Sequence, residues 1–167
     1  MTQVCVRVAR PEDAAALAHL VAGLRDHLEA AAPRDEEIAA QLPRLLGDPA
    51  LEFACAWQEG EAVGFSQLRL LASVWSPPLE AFLEDLFVAP EARRHGVGRS
   101  LLRHALAQAR AHGAARLALT TNEANAAAQA LYRAEGLRPH AHPRYRGRRE
   151  VLWSCRLPVA PGPSSSP

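Results

Sequence analysis

The segment Phe82–Ser100, FLEDLFVAPEARRHGVGRS, constrains the fold of this chain more than any other. Its first part is apolar apart from two acidic residues and is typical of a buried strand, which Pro90 ends because proline has no N–H for a neighbouring strand. An arginine-rich turn with two glycines follows, and a helix is predicted from about Gly98. Glycines at a helix N-terminus let backbone N–H groups close on an anion, which the helix dipole also favours. The segment therefore predicts a strand–turn–helix unit that binds a phosphorylated ligand.

Two common phosphate-binding motifs do not account for this turn. The dinucleotide fingerprint G-x-G-x-x-G needs a third glycine, whereas Ser100, Leu101 and Leu102 follow Gly98. The P-loop needs a lysine after its last glycine, and the chain contains no lysine. The turn therefore belongs to another class of phosphate site.

The residues of the turn match a third motif. The acetyl-CoA loop of the GCN5-related N-acetyltransferases (GNAT) has the pattern [QR]-x-x-G-x-[GA], which Arg93–Gly98 fills. In that family an Asn precedes a Tyr by seven residues on the next helix, as Asn125 and Tyr132 do here. The start of the chain, Val4–Arg10 followed by Pro11-Glu12-Asp13, is similar to the family's first strand and helix. The chain therefore resembles this family over residues 3–157.

The resemblance implies a fold and an activity. The implied fold is mixed α/β, with a central, mostly antiparallel sheet that is splayed at the fourth strand and flanked by helices. The implied reaction transfers acetyl from acetyl-CoA to a primary amine of a small molecule or a protein, by direct attack in a ternary complex and without a metal. The alternative is a non-catalytic acetyl-CoA-binding sensor or interaction module, which would keep the Arg93–Gly98 loop but tolerate the loss of Glu84 and Tyr132.

The resemblance also assigns residues to acetyl-CoA. Backbone N–H groups of the turn would bind the pyrophosphate, arginine side chains are candidates for phosphate contact, and backbone groups at the end of the strand would bond the pantetheine arm. The Asn on the following loop, a common helix N-cap residue, is a further candidate contact. The candidate cofactor-binding residues are Phe87, Val88, Arg93, Arg94, His95, Gly96, Val97, Gly98, Arg99, Ser100, Asn125 and Tyr132.

Two side chains are candidates for catalysis. Deprotonating a lysine-like amine at pH 7 costs about 4–5 kcal/mol, so a nearby carboxylate that takes the proton would assist. Glu84 and Asp85 are adjacent on a strand and point to opposite faces. The resemblance favours Glu84, although either acid can instead be a structural carboxylate that bonds a backbone N–H or an arginine. Tyr132, a phenol protonated at pH 7, would protonate the CoA thiolate, while Leu131 is predicted to point toward the core.

The acceptor is not identified by any motif. The basic segment Arg138–Arg149 would lie near the acceptor entrance in the resembled fold, and its HAH pair has no further ligands that would indicate a metal. An exposed tryptophan beside prolines, as in the loop SVWSPP, often marks a contact surface. The candidate substrate residues are Trp75, Asp85, Tyr145 and Arg146.

Length, charge and cysteine content agree with a cytoplasmic enzyme. The 167 residues suit one domain, 1–157, followed by a disordered Pro/Ser-rich tail, 158–167. The net charge of +1 argues against a nucleic-acid partner. No apolar run predicts a membrane span or a signal peptide, and three widely spaced cysteines predict neither disulfides nor a zinc site. Dimers are common in the resembled family, so a homodimer is a further expectation.

Hydrophobic periodicity and turn residues predict the secondary structure. A hairpin is expected at Glu59-Gly60, and Gly113 is expected to end a helix. The predicted strands are Val4–Val8, Leu51–Trp57, Ala62–Leu71, Phe82–Val88, Arg116–Thr121 and a pair from Leu137 onward. The predicted helices are Leu17–Leu28, Ala39–Leu46, Gly98–His112 and Ala126–Ala134.

Overall fold

Over the residues that the computed structural model describes, the chain forms seven strands and four α-helices, which confirms the predicted mixed α/β class. The structure describes residues 3–72, 74, 79–140 and 150–158. The strands are β1 (Cys5–Val8), β2 (Leu51–Gln58), β3 (Glu61–Leu71), β4 (Glu80–Val88), β5 (Arg116–Asn122), β6 (Arg138–His140) and β7 (Glu150–Arg156). The helices are α1 (Ala14–His27), α2 (Asp35–Leu46), α3 (Val97–Ala111) and α4 (Ala126–Ala134), with short 3-10 helices at Pro11–Asp13 and Pro90–Ala92. Within the described ranges, no helix combines the length and the apolar character that crossing a membrane requires.

Internal contacts divide the chain into two compact units. The first unit comprises the residues up to Arg69 together with Leu83–Ala105, and the second comprises Leu70–Phe82 together with the residues from Leu106 onward. Neighbouring strands follow the order β1-β2-β3-β4 in the first unit and β5-β7-β6 in the second. The strands β3 and β4 and the helix α3 contribute residues to both units. The extent of a single domain over 1–157 stays a prediction.

The first unit is built on antiparallel strands covered by helices. The predicted hairpin is confirmed, because Glu59 and Gly60 both have positive φ (53° and 87°), as a tight two-residue hairpin requires. The side chains of alternate residues on β2 and β3 then face α1 and α2, as in the pair Cys55 and Phe65. The buried cluster on that face comprises Leu17, Leu20, Ile38, Leu42, Leu51, Phe53, Cys55, Phe65 and Phe87. A second buried cluster, which includes the start of α3, comprises Ala56, Ala92, Val97 and Leu101.

The second unit has β7 between β5 and β6. Trp153 on β7 lies opposite Leu119 on β5 and Pro139 on β6, and it is only 1% exposed. Gly113, with φ +77°, follows the end of α3 as predicted. Gly136, with φ +90°, turns the chain from α4 into β6.

Polar contacts extend two elements beyond their predicted boundaries. β4 begins at Glu80 rather than Phe82, and Glu80 accepts a hydrogen bond from Arg116 on β5 at 2.7 Å. α2 begins at Asp35 rather than Ala39, because the carboxylate of Glu37 accepts from the N–H of residue 34 at 2.8 Å and caps an acidic first turn. The spacing of apolar residues cannot predict this first turn of α2, because the turn consists of acidic residues.

An ion pair ties the start of α1 to the sheet and sets one pH dependence. Asp13 is 5% exposed and accepts from both terminal nitrogens of Arg7, at 2.6 and 2.8 Å. This bond holds the pKa of Asp13 below its ordinary value of 3.8. A lowered folded-state pKa stabilises the protein above about pH 4, and that stabilisation is lost as the pH falls through the folded pKa. Asp13→Asn is therefore expected to lower the free energy of unfolding at pH 7 by about 2 kcal/mol.

The measurement is urea unfolding at pH 7 and below pH 4, with Glu12→Gln as the control. Glu12 is also an acid beside α1, but its side chain is 66% exposed and its pair with Arg10 is 3.7 Å long, so its loss should cost less than about 0.5 kcal/mol. The loss of unfolding free energy caused by Asp13→Asn should be smaller below pH 4 than at pH 7. An equal loss at both pH values would show that the stabilisation does not depend on the ionised carboxylate.

Gly64 on β3 lies where β4 passes most closely. A Cβ atom there would be 2.7 Å from the backbone oxygen of Phe87 and 3.1 Å from Cδ1 of Leu101. Gly64→Ala should therefore lower the free energy of unfolding by about 1–3 kcal/mol, because the backbone of β4 must move. Gly47→Ala is the matched control, since its Cβ would meet nothing closer than 3.7 Å and its φ is −91°. Equal unfolding midpoints for the two variants would refute the close approach.

Candidate functional site

The predicted phosphate turn has an unusual backbone conformation and leads directly into α3. Arg94 and Gly96 both have positive φ (69° and 82°), and the oxygen of Gly96 accepts the first bond of α3 from the N–H of Ser100 at 3.0 Å. The first N–H groups of a helix have no acceptor within it and carry its positive dipole end. A Cβ at Gly96 would meet no atom within 4 Å, so the turn is open at this point. These backbone groups can close on a phosphate.

The arginines of the turn do not all face outward. Nε of Arg93 donates to the carbonyl oxygen of Val88 at 3.0 Å, and its guanidinium lies 5.9 Å from the ring centre of Phe87. Arg93 therefore attaches the turn to the end of β4. Arg94 and Arg99 are exposed. The Val88 carbonyl oxygen has a second lone pair, so a donor of the pantetheine arm could bond it beside Arg93.

Glu84 is held by two side chains that the sequence did not single out. Its carboxylate accepts from Nε and Nη2 of Arg69, at 2.6 and 3.0 Å, and from Nε2 of Gln67, at 2.6 Å. The pattern on β3 could have indicated these partners. Phe65, Gln67 and Arg69 share one face, and this face changes from apolar to polar toward the end of the strand.

The alternation of β4 is interrupted beside Glu84. Phe87 packs against Phe65, with ring centres 6.3 Å apart, while Glu84 bonds Gln67 and Arg69 on the same face of β3. Residues three apart cannot share a face in a regular strand, so one extra residue lies between them, as in a β-bulge. Because of this extra residue, the side chain of Glu84 points to the same face of the sheet as Phe65 and Phe87. The helices α1 and α2 cover that face near the other end of β3.

Asp85 has a different environment from Glu84. It is half-buried, and burial, followed by the negative charge of Glu84, raises its pKa. A carboxyl group that is harder to ionise is a weaker candidate for binding a cationic amine. The two acids on β4 thus differ in both partner and exposure.

In the second unit, Asn125 directly precedes α4 and Tyr132 lies on it. Oδ1 of Asn125 accepts from the N–H of Ala128 at 3.1 Å, so Asn125 is the N-cap of the helix. Tyr132 is 8% exposed, and its ring centre lies 6.0 Å from that of Trp153. Burial raises the pKa of Tyr132 above its ordinary value of 10, so its phenol is protonated at neutral pH.

The prediction that Leu131 points toward the core in place of its neighbour was wrong. Leu131 is half-buried, whereas Tyr132 is buried against Trp153 on β7. The reason is that a large indole on the adjacent strand offers an aromatic partner, which helical periodicity alone does not reveal.

The predicted site residues fall into two groups. The first unit contains Glu84, Asp85, the end of β4 and the glycine turn; the second contains Asn125 and Tyr132. Trp75, Tyr145 and Arg146 lie outside the described residues. Across the described ranges, no group of three His, Cys, Asp or Glu side chains is arranged to hold a metal ion.

Comparison with known proteins links this geometry to one family. The family model described as "Acetyltransferase (GNAT) family" matches residues 18–137. An uncharacterised N-acetyltransferase, YhfO, of Bacillus subtilis is 35% identical over 78% of this chain and 87% of its own length. An aminoglycoside N(6')-acetyltransferase type 1 of Stenotrophomonas maltophilia is 36% identical over 78% of this chain and 84% of its own length. The crystal structure of an aminoglycoside N-acetyltransferase in complex with CoA superposes with a TM-score of 0.73 at 21% identity, covering 85% of this chain and 92% of that one.

Proposed function

This chain belongs to the GNAT family of N-acetyltransferases, and we propose that it transfers acetyl from acetyl-CoA to a primary amine by direct attack in a ternary complex. The observation that carries the proposal is the open turn at Gly96, which leads from β4 into the N-terminus of α3 and lies within the matched region. The acceptor amine belongs to a small molecule or a protein.

Acetyl-CoA would be held mainly by backbone groups. The N–H groups from Arg94 to Arg99 suit the pyrophosphate, because the positive φ angles and the helix dipole direct positive charge into the turn. Arg94 and Arg99 are the candidates for phosphate contact, and Arg93 has the separate task of holding the turn against Val88. The bound thioester would supply an activated acetyl group for transfer to the amine.

Glu84 would take a proton from the acceptor ammonium, directly or through a water molecule. The neutral amine nitrogen then bonds the carbonyl carbon of the thioester while the carbon–sulfur bond breaks. The proton that the new amide nitrogen loses balances the one that the thiolate gains, so one proton is released overall. Arg69 and Gln67 hold the carboxylate in place in the structure, and the acceptor ammonium would share it with them or displace Arg69.

Tyr132 would donate its phenolic proton to the departing thiolate. Its raised pKa keeps the donor protonated at neutral pH, and its contact with Trp153 limits the motion of the ring. The assignment of Tyr132 and Asn125 rests on their motif spacing, together with this packing.

The test is a thiol-release assay with acetyl-CoA and a panel of primary amines. We expect CoA to appear only when an acceptor is present, with both substrates required before any product forms, because a ternary complex needs both. Isothermal titration with acetyl-CoA provides the binding control. Tight acetyl-CoA binding without turnover of any amine would favour the sensor alternative.

A further inference from the structure

We propose that the acceptor carries a carboxylate beside its amine, as an α-amino acid does, and that Arg69 binds this carboxylate while Glu84 binds the amine. The proposal rests on the proposed acetyl transfer and adds the class of acceptor. It is carried by the pairing of Arg69 with Glu84: an acceptor that carries a carboxylate can replace the partner that Arg69 loses, whereas a purely cationic acceptor cannot.

Both oxygens of the Glu84 carboxylate already accept hydrogen bonds. Nε and Nη2 of Arg69 reach both of its oxygens, and Nε2 of Gln67 bonds one of them as well. The guanidinium of Arg69 is positively charged at any pH of interest, so the charge of Glu84 is already balanced. An amine that approaches Glu84 must therefore share the carboxylate with Arg69 or displace it.

Acceptor classes differ in whether they offer the displaced guanidinium of Arg69 a new negatively charged partner. A simple amine leaves Arg69, whose side chain is 38% exposed, without its charge-assisted bonds. A polycationic amine also brings a second positive charge close to the guanidinium. An amino acid exchanges one ion pair for two, because its carboxylate takes the place of Glu84 on Arg69 while its ammonium binds Glu84.

The geometry favours a short spacing between amine and carboxylate. Arg69 and Glu84 are direct neighbours on adjacent strands, with 2.6 Å between Nε and Oε1. A ligand whose amine and carboxylate share one carbon, as in an α-amino acid, would separate the two side chains least while binding both. Asp48 also acts on Arg69 through space, but its Oδ1 accepts from the N–H of Ala50 at 2.9 Å and is held in that turn.

The experiment compares α-amino acids with their carboxamides and with the polyamine spermidine in the thiol-release assay. We expect kcat/KM for the best amino acid to exceed that for its amide at least about tenfold. Intrinsic reactivity predicts the opposite order, because removing the carboxylate lowers the pKa of the amine and enlarges its neutral fraction. The preference would therefore come from the protein.

Variants assign the preference to Arg69. Arg69→Gln should bring the acid-to-amide ratio close to one, mainly through a higher KM for the acid, and Arg69→Lys should give an intermediate ratio because it keeps the charge but not the planar fork. Arg116→Gln is the matched control, since it breaks another cross-strand pair, with Glu80 at 2.7 Å, and should leave the ratio unchanged. Circular dichroism of each variant verifies folding, and Arg69→Lys keeps the test valid if the Gln variant is unstable.

The possible failures are distinguishable. Turnover of amides or spermidine at rates equal to or above those of amino acids would overturn the acceptor class and leave acetyl transfer intact. A ratio that survives in Arg69→Gln would overturn the role of Arg69. Absence of turnover with every amine, despite bound acetyl-CoA, would overturn the proposed function itself.

Discussion

Tyr132→Phe is expected to lower kcat about 100-fold while the Kd of acetyl-CoA changes less than about threefold. The phenylalanine ring can keep the packing against Trp153, whose centre lies 6.0 Å from that of Tyr132, so the fold and the bound state should persist. The thiolate, however, loses its proton donor, and an interaction made only in the transition state affects kcat and kcat/KM equally. Steady-state kinetics and isothermal titration measure the two effects separately.

The control for this variant is Leu131→Met, on the preceding residue of α4. The change conserves volume at a half-buried position and should keep kcat within about a factor of two. In the wild-type protein the pKa of Tyr132, raised by burial, should also move the alkaline fall of kcat above the pH range of an unburied tyrosine. An unchanged kcat in Tyr132→Phe would eliminate the general-acid role.

Gly96→Ala should raise the Kd of acetyl-CoA about 30-fold, which corresponds to about 2 kcal/mol. Gly96 has φ +82°, where an L-residue is strained by about 1–2 kcal/mol, so the turn would tend to rearrange. The added methyl group would also project into the open space that the pyrophosphate is proposed to occupy. Titration calorimetry gives the Kd, and thermal unfolding gives the cost to stability.

Gly113→Ala separates these two contributions. Gly113 has φ +77° and no atom within 4 Å of its ideal Cβ position, so the same substitution carries similar strain without touching the proposed acetyl-CoA site. Both variants should lower the unfolding temperature by similar amounts, but only Gly96→Ala should weaken binding. Equal Kd values in the two variants would show that the turn does not contact the pyrophosphate.

Local patterns were sufficient to predict most elements of the fold. The strand, turn and helix of Phe82–Ser100 follow from an apolar run, a proline and two glycines, each of which acts through the backbone of its own neighbourhood. The hairpin at Glu59-Gly60 was predicted for the same reason. The predicted boundary of β4 was wrong because Arg116, which is distant in sequence, bonds Glu80. The predicted start of α2 was wrong because Glu37, which lies outside the apolar pattern, caps the helix.

In the candidate site, too, local properties were predicted from the sequence, whereas contacts between strands were not. The positive φ of Gly96 and the N-cap at Asn125 are local properties, and the sequence indicated both positions. The partners of Glu84 were not identified, because the polar face of β3 shows which side chains are available but not that strand pairing brings Arg69, fifteen residues away, beside Glu84. The extra residue in β4, which aligns Glu84 with the face of Phe87, likewise depends on how β4 sits beside β3.

The sequence by itself determined the family, the mixed α/β class and the strand–turn–helix unit that contains the glycine turn, because motif spacing and backbone preferences are encoded within short segments. Only the tertiary structure decided that Tyr132 rather than Leu131 is buried, and that an arginine balances the charge of Glu84. Both outcomes depend on side chains from different strands, Trp153 and Arg69, whose proximity arises from the pairing of the sheet.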